Sequence, residues 1–180
     1  MSVSTVTTIA TFSDNDLVQH LAELGALLQA CVHNGASVGF VMPFGVDESE
    51  AFWRGKVLPS LRAGGLMLFV ARQGDAIAGT VQLDYDTMPN QRHRAEVRKL
   101  LVHPAFRRQG IARALMTELE RHAHALQRSL LTLDTRTGDH AEPLYTALGY
   151  RTAGVIPGYA RDPHHQAFDA TTIMYKTPGG

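Results

Sequence analysis

The chain has 180 residues, enough for one domain with a sizeable buried core. Lys and Arg number 17, as do Asp and Glu, so the formal charge is zero. That balance argues against bulk electrostatic binding to nucleic acid or to an anionic membrane, and leaves room for a local basic site.

A single cysteine, Cys31, cannot close an internal disulfide, which fits a reducing cytoplasm. The opening "MSVSTVTTIATF" lacks the basic start and long apolar centre of a leader. No apolar run approaches the length of a membrane span. The expectation is one cytoplasmic domain over residues 1–180, without repeats or low-complexity segments.

"SDNDLVQHLAELGALLQACVHNG" reads as a helix capped by Ser13 or Asp14, with Leu17, Leu21, Leu24, Leu27 and Leu28 at helical spacing and Gly35 as its stop. "DESEAFWRGKVLPSLRAGG" reads as a second helix with an acidic first turn; Pro59 predicts a break or kink inside it. "LMLFVARQ" is dense and apolar, as a buried strand is. Gly74-Asp75 supplies a turn, and "AIAGTVQLDYD" returns as its hairpin partner. After the polar loop "PNQRHR" comes a strand, "AEVRKLLV", which Pro104 ends.

The helix after Arg107 carries Ala112, Leu115, Met116, Leu119, Ala123 and Leu126 on one side. "SLLTLDT" is a strand, "DHAEPLYTALGY" a short helix closed by Gly149, and "TTIMYKT" a last strand. This order predicts an α/β sandwich with a mixed sheet and one strand–helix–strand crossover between parallel strands.

"HPAFRRQGIARALM" places arginines and a glycine where a helix begins. A helix N-terminus has unpaired N–H groups and partial positive charge, so it suits an anion. Gly110 permits close backbone approach, Ala112 is nearly as small, and Arg107, Arg108 and Arg113 can bond phosphate oxygens. The alternative is a solvated basic first turn. Neither the P-loop pattern nor G-x-G-x-x-G occurs.

The segment resembles the signature of the GCN5-related N-acetyltransferase family: an apolar strand, V-x-P, then [RQ]-x-x-G-x-[GA], filled here by Val102, Pro104, Arg107, Gly110 and Ala112. "AEPLYTALGY" resembles the family's A-x-x-L-Y-x-x-L-G-[FY], with Ala141, Leu144, Tyr145, Leu148, Gly149 and Tyr150 in place. One helix and one strand separate the two motifs, as in the family. Gly138 stands where many relatives carry Asn. Four segments, "NGASVGF", "RAEVRKLLV", "LLTLDT" with "AEPLYTALGY", and "PGY", further resemble the tabtoxin-resistance acetyltransferases, which acetylate an amino-acid-like toxin. That likeness spans roughly residues 30–177.

The resemblance implies a mixed, splayed sheet flanked by helices on both faces, with acetyl-CoA as co-substrate and no metal. Leu100, Leu101 and Val102 would pair with the pantetheine arm, and Arg107, Arg108, Gln109, Gly110, Ile111, Ala112 and Arg113 would cradle the phosphates. If the strand bulges, a free N–H at Leu101 or Val102 would stabilise an oxyanion. Tyr145 would protonate the departing thiolate, or else is a core tyrosine. Glu96 would take the amine's proton, or else pairs with Arg94 or Arg98. Asp134 would hold the ammonium or act as base, or else caps the next helix. Ser37, Phe40 and Tyr159 would wall the substrate, or else form structural turns.

His122 and His124 are two apart and face different sides of a helix, and no Cys/His set has zinc spacing. Cys31 reads as a packed small side chain. The implied activity is direct acetyl transfer to the amine of a small amino-acid-like molecule, such as a toxin or antibiotic, by a monomer or homodimer. The alternatives are a protein N-terminus, a polyamine or an aminoglycoside as acceptor, or a non-catalytic CoA sensor.

Overall fold

The computed structural model describes residues 6–177. The first five residues of the stretch read for a leader, and the last three of the expected domain, lie outside it. Seven strands form one sheet in the order β1-β2-β3-β4-β5-β7-β6. They are β1 (Thr7–Phe12), β2 (Leu66–Gln73), β3 (Ala76–Asp84), β4 (Arg94–Val102), β5 (Leu130–Arg136), β6 (Arg151–Arg161) and β7 (Phe168–Lys176). Every neighbouring pair is antiparallel except β4 and β5, which the 15-residue helix α5 (Ile111–Ala125) connects. This is the expected crossover in a mixed sheet.

Helices cover both faces. On one side α5 buries Ile111, Leu115, Met116, Leu119 and Ala123 against Phe69, Val81 and Val97. Ile111, rather than Ala112, opens this stripe, and Leu126 is exposed. The short helix α6 (Ala141–Ala147) adds Tyr145 to the same layer. On the other side α1 (Asp14–Gln19), α2 (Leu21–His33), α3 (Val46–Phe52) and α4 (Leu58–Ala63) pack around Leu68, Val70 and Leu101. Phe69 faces one layer while Leu68 and Val70 face the other, the alternation a strand buried on both faces must show.

Several boundaries differ from expectation. The first helix is two: Ser13 and Asp16 form a capping box that starts α1, and the chain breaks at His20 before α2. The second is three pieces, because a π-helical turn over Trp53–Val57 joins α3 to α4. Pro59 sits in the first turn of α4, directly after the π-helical turn. Strands β1 and β6 lie at the two sheet edges, outside the predicted set. No helix among the described residues is long and apolar enough to cross a membrane.

Candidate active site

The sheet opens at its centre. β4 and β5 pair only at Arg94–Leu130, Ala95–Leu131 and Glu96–Thr132, then diverge. Beyond Glu96, β4 therefore presents an edge that β5 does not pair, with β3 holding its other side. A cleft of about 1150 Å³ fills the gap. Leu100, Leu101 and Val102 line it from β4, along the stretch that β5 does not pair.

One end of the cleft is basic. Arg107, Arg108, Gly110, Ile111, Ala112 and Arg113 all line it. Gly110 is the N-cap of α5 and adopts φ 78°, and Arg108 stands at φ 61°. A Cβ at Gly110 would meet no protein atom within 4 Å. The left-handed backbone thus favours glycine, and the space beside it stays open for an anion. Arg107 donates to Oδ1 of Asn34 at 2.6 Å, tying the loop after α2 to the cradle. Gln109 does not line the cleft: its Oε1 accepts from Nε2 of Gln73 at 2.9 Å, which turns it toward β2.

The middle of the cleft holds Tyr145. Its ring is buried against Tyr150, and its hydroxyl has no hydrogen-bond partner among the described residues. Burial first, then the charges of Asp134 and Asp139, push the phenol well above its ordinary range. Tyr145 therefore stays protonated and keeps a proton to donate. Gly138, just before α6, has φ 79°, a conformation that glycine and asparagine both accept. The backbone N–H of Gly138 donates to Glu142 Oε2 at 2.8 Å.

The far end carries the carboxylates. Glu96 and Asp134 both line it. Glu96 Oε2 lies 3.3 Å from Arg98 Nη2, the ion pair foreseen as its alternative. Asp134 accepts from Thr171 Oγ1 at 3.5 Å and caps no helix. Arg136 gathers Asp139, Asp162 and Asp169 within 3.4–3.6 Å, a cluster with no trace in the sequence because Asp162 and Asp169 lie far along the chain. Ser37 and Tyr159 line the cleft as well. Phe40 does not; it packs on Phe44 and Phe52 at centroid distances of 4.6 and 5.3 Å.

β4 does bulge. Thr80 pairs with Leu101 and Gln82 with Arg98, so Lys99 and Leu100 stand opposite Val81 alone. Lys99 takes φ 50° and lines the cleft, a residue that the sequence reading passed over. Cys31 also lines the cleft but is buried, donates to the Val102 carbonyl at 3.5 Å, and has its thiol pushed up by burial to about 11. It is not a nucleophile at neutral pH. The described residues contain no cluster of three metal-ligating side chains.

An open strand edge leading from a helix N-terminus with arginines to a buried phenol defines a transferase site for a phosphate-bearing carrier. The comparisons agree. Residues 32–150 match the acetyltransferase (GNAT) family, and the chain belongs to that family, whose co-substrate is acetyl-CoA. An uncharacterized N-acetyltransferase from the hisH-hisA intergenic region of Azospirillum brasilense is 32% identical over 114 residues, or 62% of this chain and 66% of the relative. A Salmonella typhimurium protein assigned as an acetyltransferase and solved with acetyl-CoA superposes with a TM-score of 0.74 at 16% identity, covering 95% of this chain and 93% of that one. The ribosomal-protein-alanine N-acetyltransferase of Brucella melitensis gives 0.75 at 19% identity, covering 94% and 99%.

The site fits the carrier. Open space at Gly110 and three cleft-lining arginines suit its phosphates, and the β4 edge suits its arm.

Proposed function

We propose that the protein transfers an acetyl group from acetyl-CoA directly to the amine of a small amino-acid-like molecule. Acetyl-CoA supplies the acyl group as an activated thioester. Arg107, Arg108, Arg113 and the N-terminus of α5 hold its phosphates. Leu100, Leu101 and Val102 hold its arm through their backbone. The Tyr145 Oη proton goes to the departing sulfur, whose thiol has an ordinary pKa near 8.5. The attacking amine must be neutral; an α-amino group, with pKa about 8, needs only modest help from Asp134 or Glu96. With the sole thiol buried and protonated, no covalent relay through the protein is called for.

The observation that carries the reading is the unpaired β4 edge, because it joins the basic end of the cleft to the carboxylates. At the acceptor end Arg98 meets Glu96 and Asp84, and Arg136 meets three aspartates, so two guanidiniums face five carboxylates and the charge there attracts an amine. The likeness to tabtoxin-resistance enzymes supports an amino-acid-like toxin or antibiotic as a member of this class.

The test is thiol release from acetyl-CoA across amino acids, β-lactam-like amino acids, polyamines and aminoglycosides. Release that requires an amino-acid-like amine is the expected result. Release with polyamines alone would move the acceptor class. CoA binding without release for any amine would make the chain a sensor.

A further inference from the structure

Five ionisable side chains of β4 and β5 line the cleft: Glu96, Arg98, Lys99, Asp134 and Arg136. Three are held in ion pairs. Lys99 and Asp134 have no oppositely charged group within 4 Å among the described residues.

The bulge explains where Lys99 points. Ala95 and Val97 face the α5 layer, so unbroken alternation would send residue 99 there too. The extra residue reverses the parity: Leu101 faces the α1–α4 layer instead. Lys99 goes with it. Its Nζ lies 5.9 Å from the Phe40 ring centre and 5.5 Å from that of Phe52. A Cβ on Gly39 would come within 3.8 Å of it. The aromatic faces favour the charged ammonium. Yet Lys99 donates no hydrogen bond among the described residues, and burial and Arg98 hold its amine below the ordinary range against the pull of Asp134 and Glu96.

A second donor waits beside it. Gln82, paired with Arg98 next to the bulge, is 3% exposed and lines the cleft. Its Nε2 is buried with no hydrogen-bond partner among the described residues. A buried donor without an acceptor is costly, and native proteins pair almost all of them. That buried donor, with the half-buried Lys99 ammonium beside aromatic rings, calls for a group that only accepts and carries negative charge.

We propose that Lys99 and Gln82 form a carboxylate subsite that holds the acid group of an amino-acid acceptor while its amine turns to Asp134. This rests on the transfer reading for its biological meaning, but the subsite itself is a binding property. Phe40, outside the cleft, then serves by fixing the Lys99 ammonium, and Gly39 by leaving it room.

The test is calorimetry on the protein loaded with CoA, titrated with α- and β-amino acids and with their matching carboxamides. At least one acid should bind about tenfold tighter than its amide, the size of a lost charged hydrogen bond. Lys99→Met should abolish the ratio, Lys99→Arg should retain most of it, and Gln82→Leu should reduce it. CoA affinity, unchanged in each variant, reports an intact fold. The proposal is overturned if no acid is preferred over its amide by the wild type, or if the preference survives in Lys99→Met. Thiol release with amines lacking an acid, and no acid binding, would refute the subsite and leave the transfer reading standing. Acid binding that depends on Lys99, with no thiol release for any amine, would do the reverse.

Discussion

Arg98 holds two carboxylates at once: Nη1 donates to Asp84 at 2.8 Å, and Nη2 stands 3.3 Å from Glu96. One oxygen of Glu96 is therefore already held beside a guanidinium. Asp134, across the gap between β4 and β5, accepts only a long bond from Thr171 among the described residues. A proton acceptor works best with a free lone pair in reach of the amine. Asp134→Asn should lower kcat/KM by about a hundredfold, and Glu96→Gln by less than about fivefold. The opposite ranking in steady-state kinetics would assign the base to Glu96.

Tyr145 should behave as a donor with no titration of its own in the working range. Its phenol is raised by burial and by the nearby Asp134 and Asp139 charges, so it stays protonated well past neutrality. Tyr145→Phe should cut kcat by about a hundredfold and leave CoA affinity within about twofold, the pattern of a contact made only as the sulfur departs. Stopped-flow turnover beside CoA calorimetry separates the two. A parallel loss of both would reduce Tyr145 to a packing residue.

Much of this site was legible because it is local in sequence. Arg107, Gly110 and Tyr145 lie in short patterns whose spacing carries their geometry, and the β4–α5–β5 crossover follows from chain order. The edges were not legible. β6 holds Gly154, Pro157 and Gly158, residues that punctuate a sequence like a loop yet are tolerated in an exposed edge strand. β1 is six residues long and was read only for a leader signal. The bulge, tied in the sequence to a free N–H at Leu101 or Val102, falls at Lys99–Leu100, and nothing in "VRKLLV" marks Lys99 for a left-handed conformation. The Arg136 cluster joins residues 139, 162 and 169, which only the fold brings together.

Gly110 separates backbone strain from charge. Alanine there meets no atom but must adopt φ 78°, so Gly110→Ala should cost about 1 kcal/mol of stability. Gly110→Glu should lose a similar amount and also place a negative charge among the phosphates. Its CoA dissociation constant should exceed that of the alanine variant by about thirtyfold, a gap of about 2 kcal/mol. Equal CoA affinity in the two variants would put the phosphates elsewhere.

Cys31 gives the fold an alkaline signature. Its thiol is raised from 9.0 to about 11, chiefly by burial. The folded state then keeps its proton over a range where the unfolded chain has lost it. The resulting stability is fully present below pH 9 and falls as pH rises through about 11. Two units correspond to about 3 kcal/mol. Urea unfolding of the wild type should lose that much more than Cys31→Ala between these pH values. Parallel curves would show that the thiol ionises freely in the folded protein.

Lys99 sits at φ 50°, where a side chain with a Cβ is strained and glycine is not. The bulge would be more comfortable with glycine, and the cation would be lost. Lys99→Gly should therefore raise the unfolding free energy by about 1 kcal/mol in urea titrations, while removing the preference for an acid over its amide. Stability gained with binding lost is the mark of a strained residue kept for its ligand. A Lys99→Gly variant that is less stable than the wild type would show that the side chain is held for packing on Phe40 and Phe52.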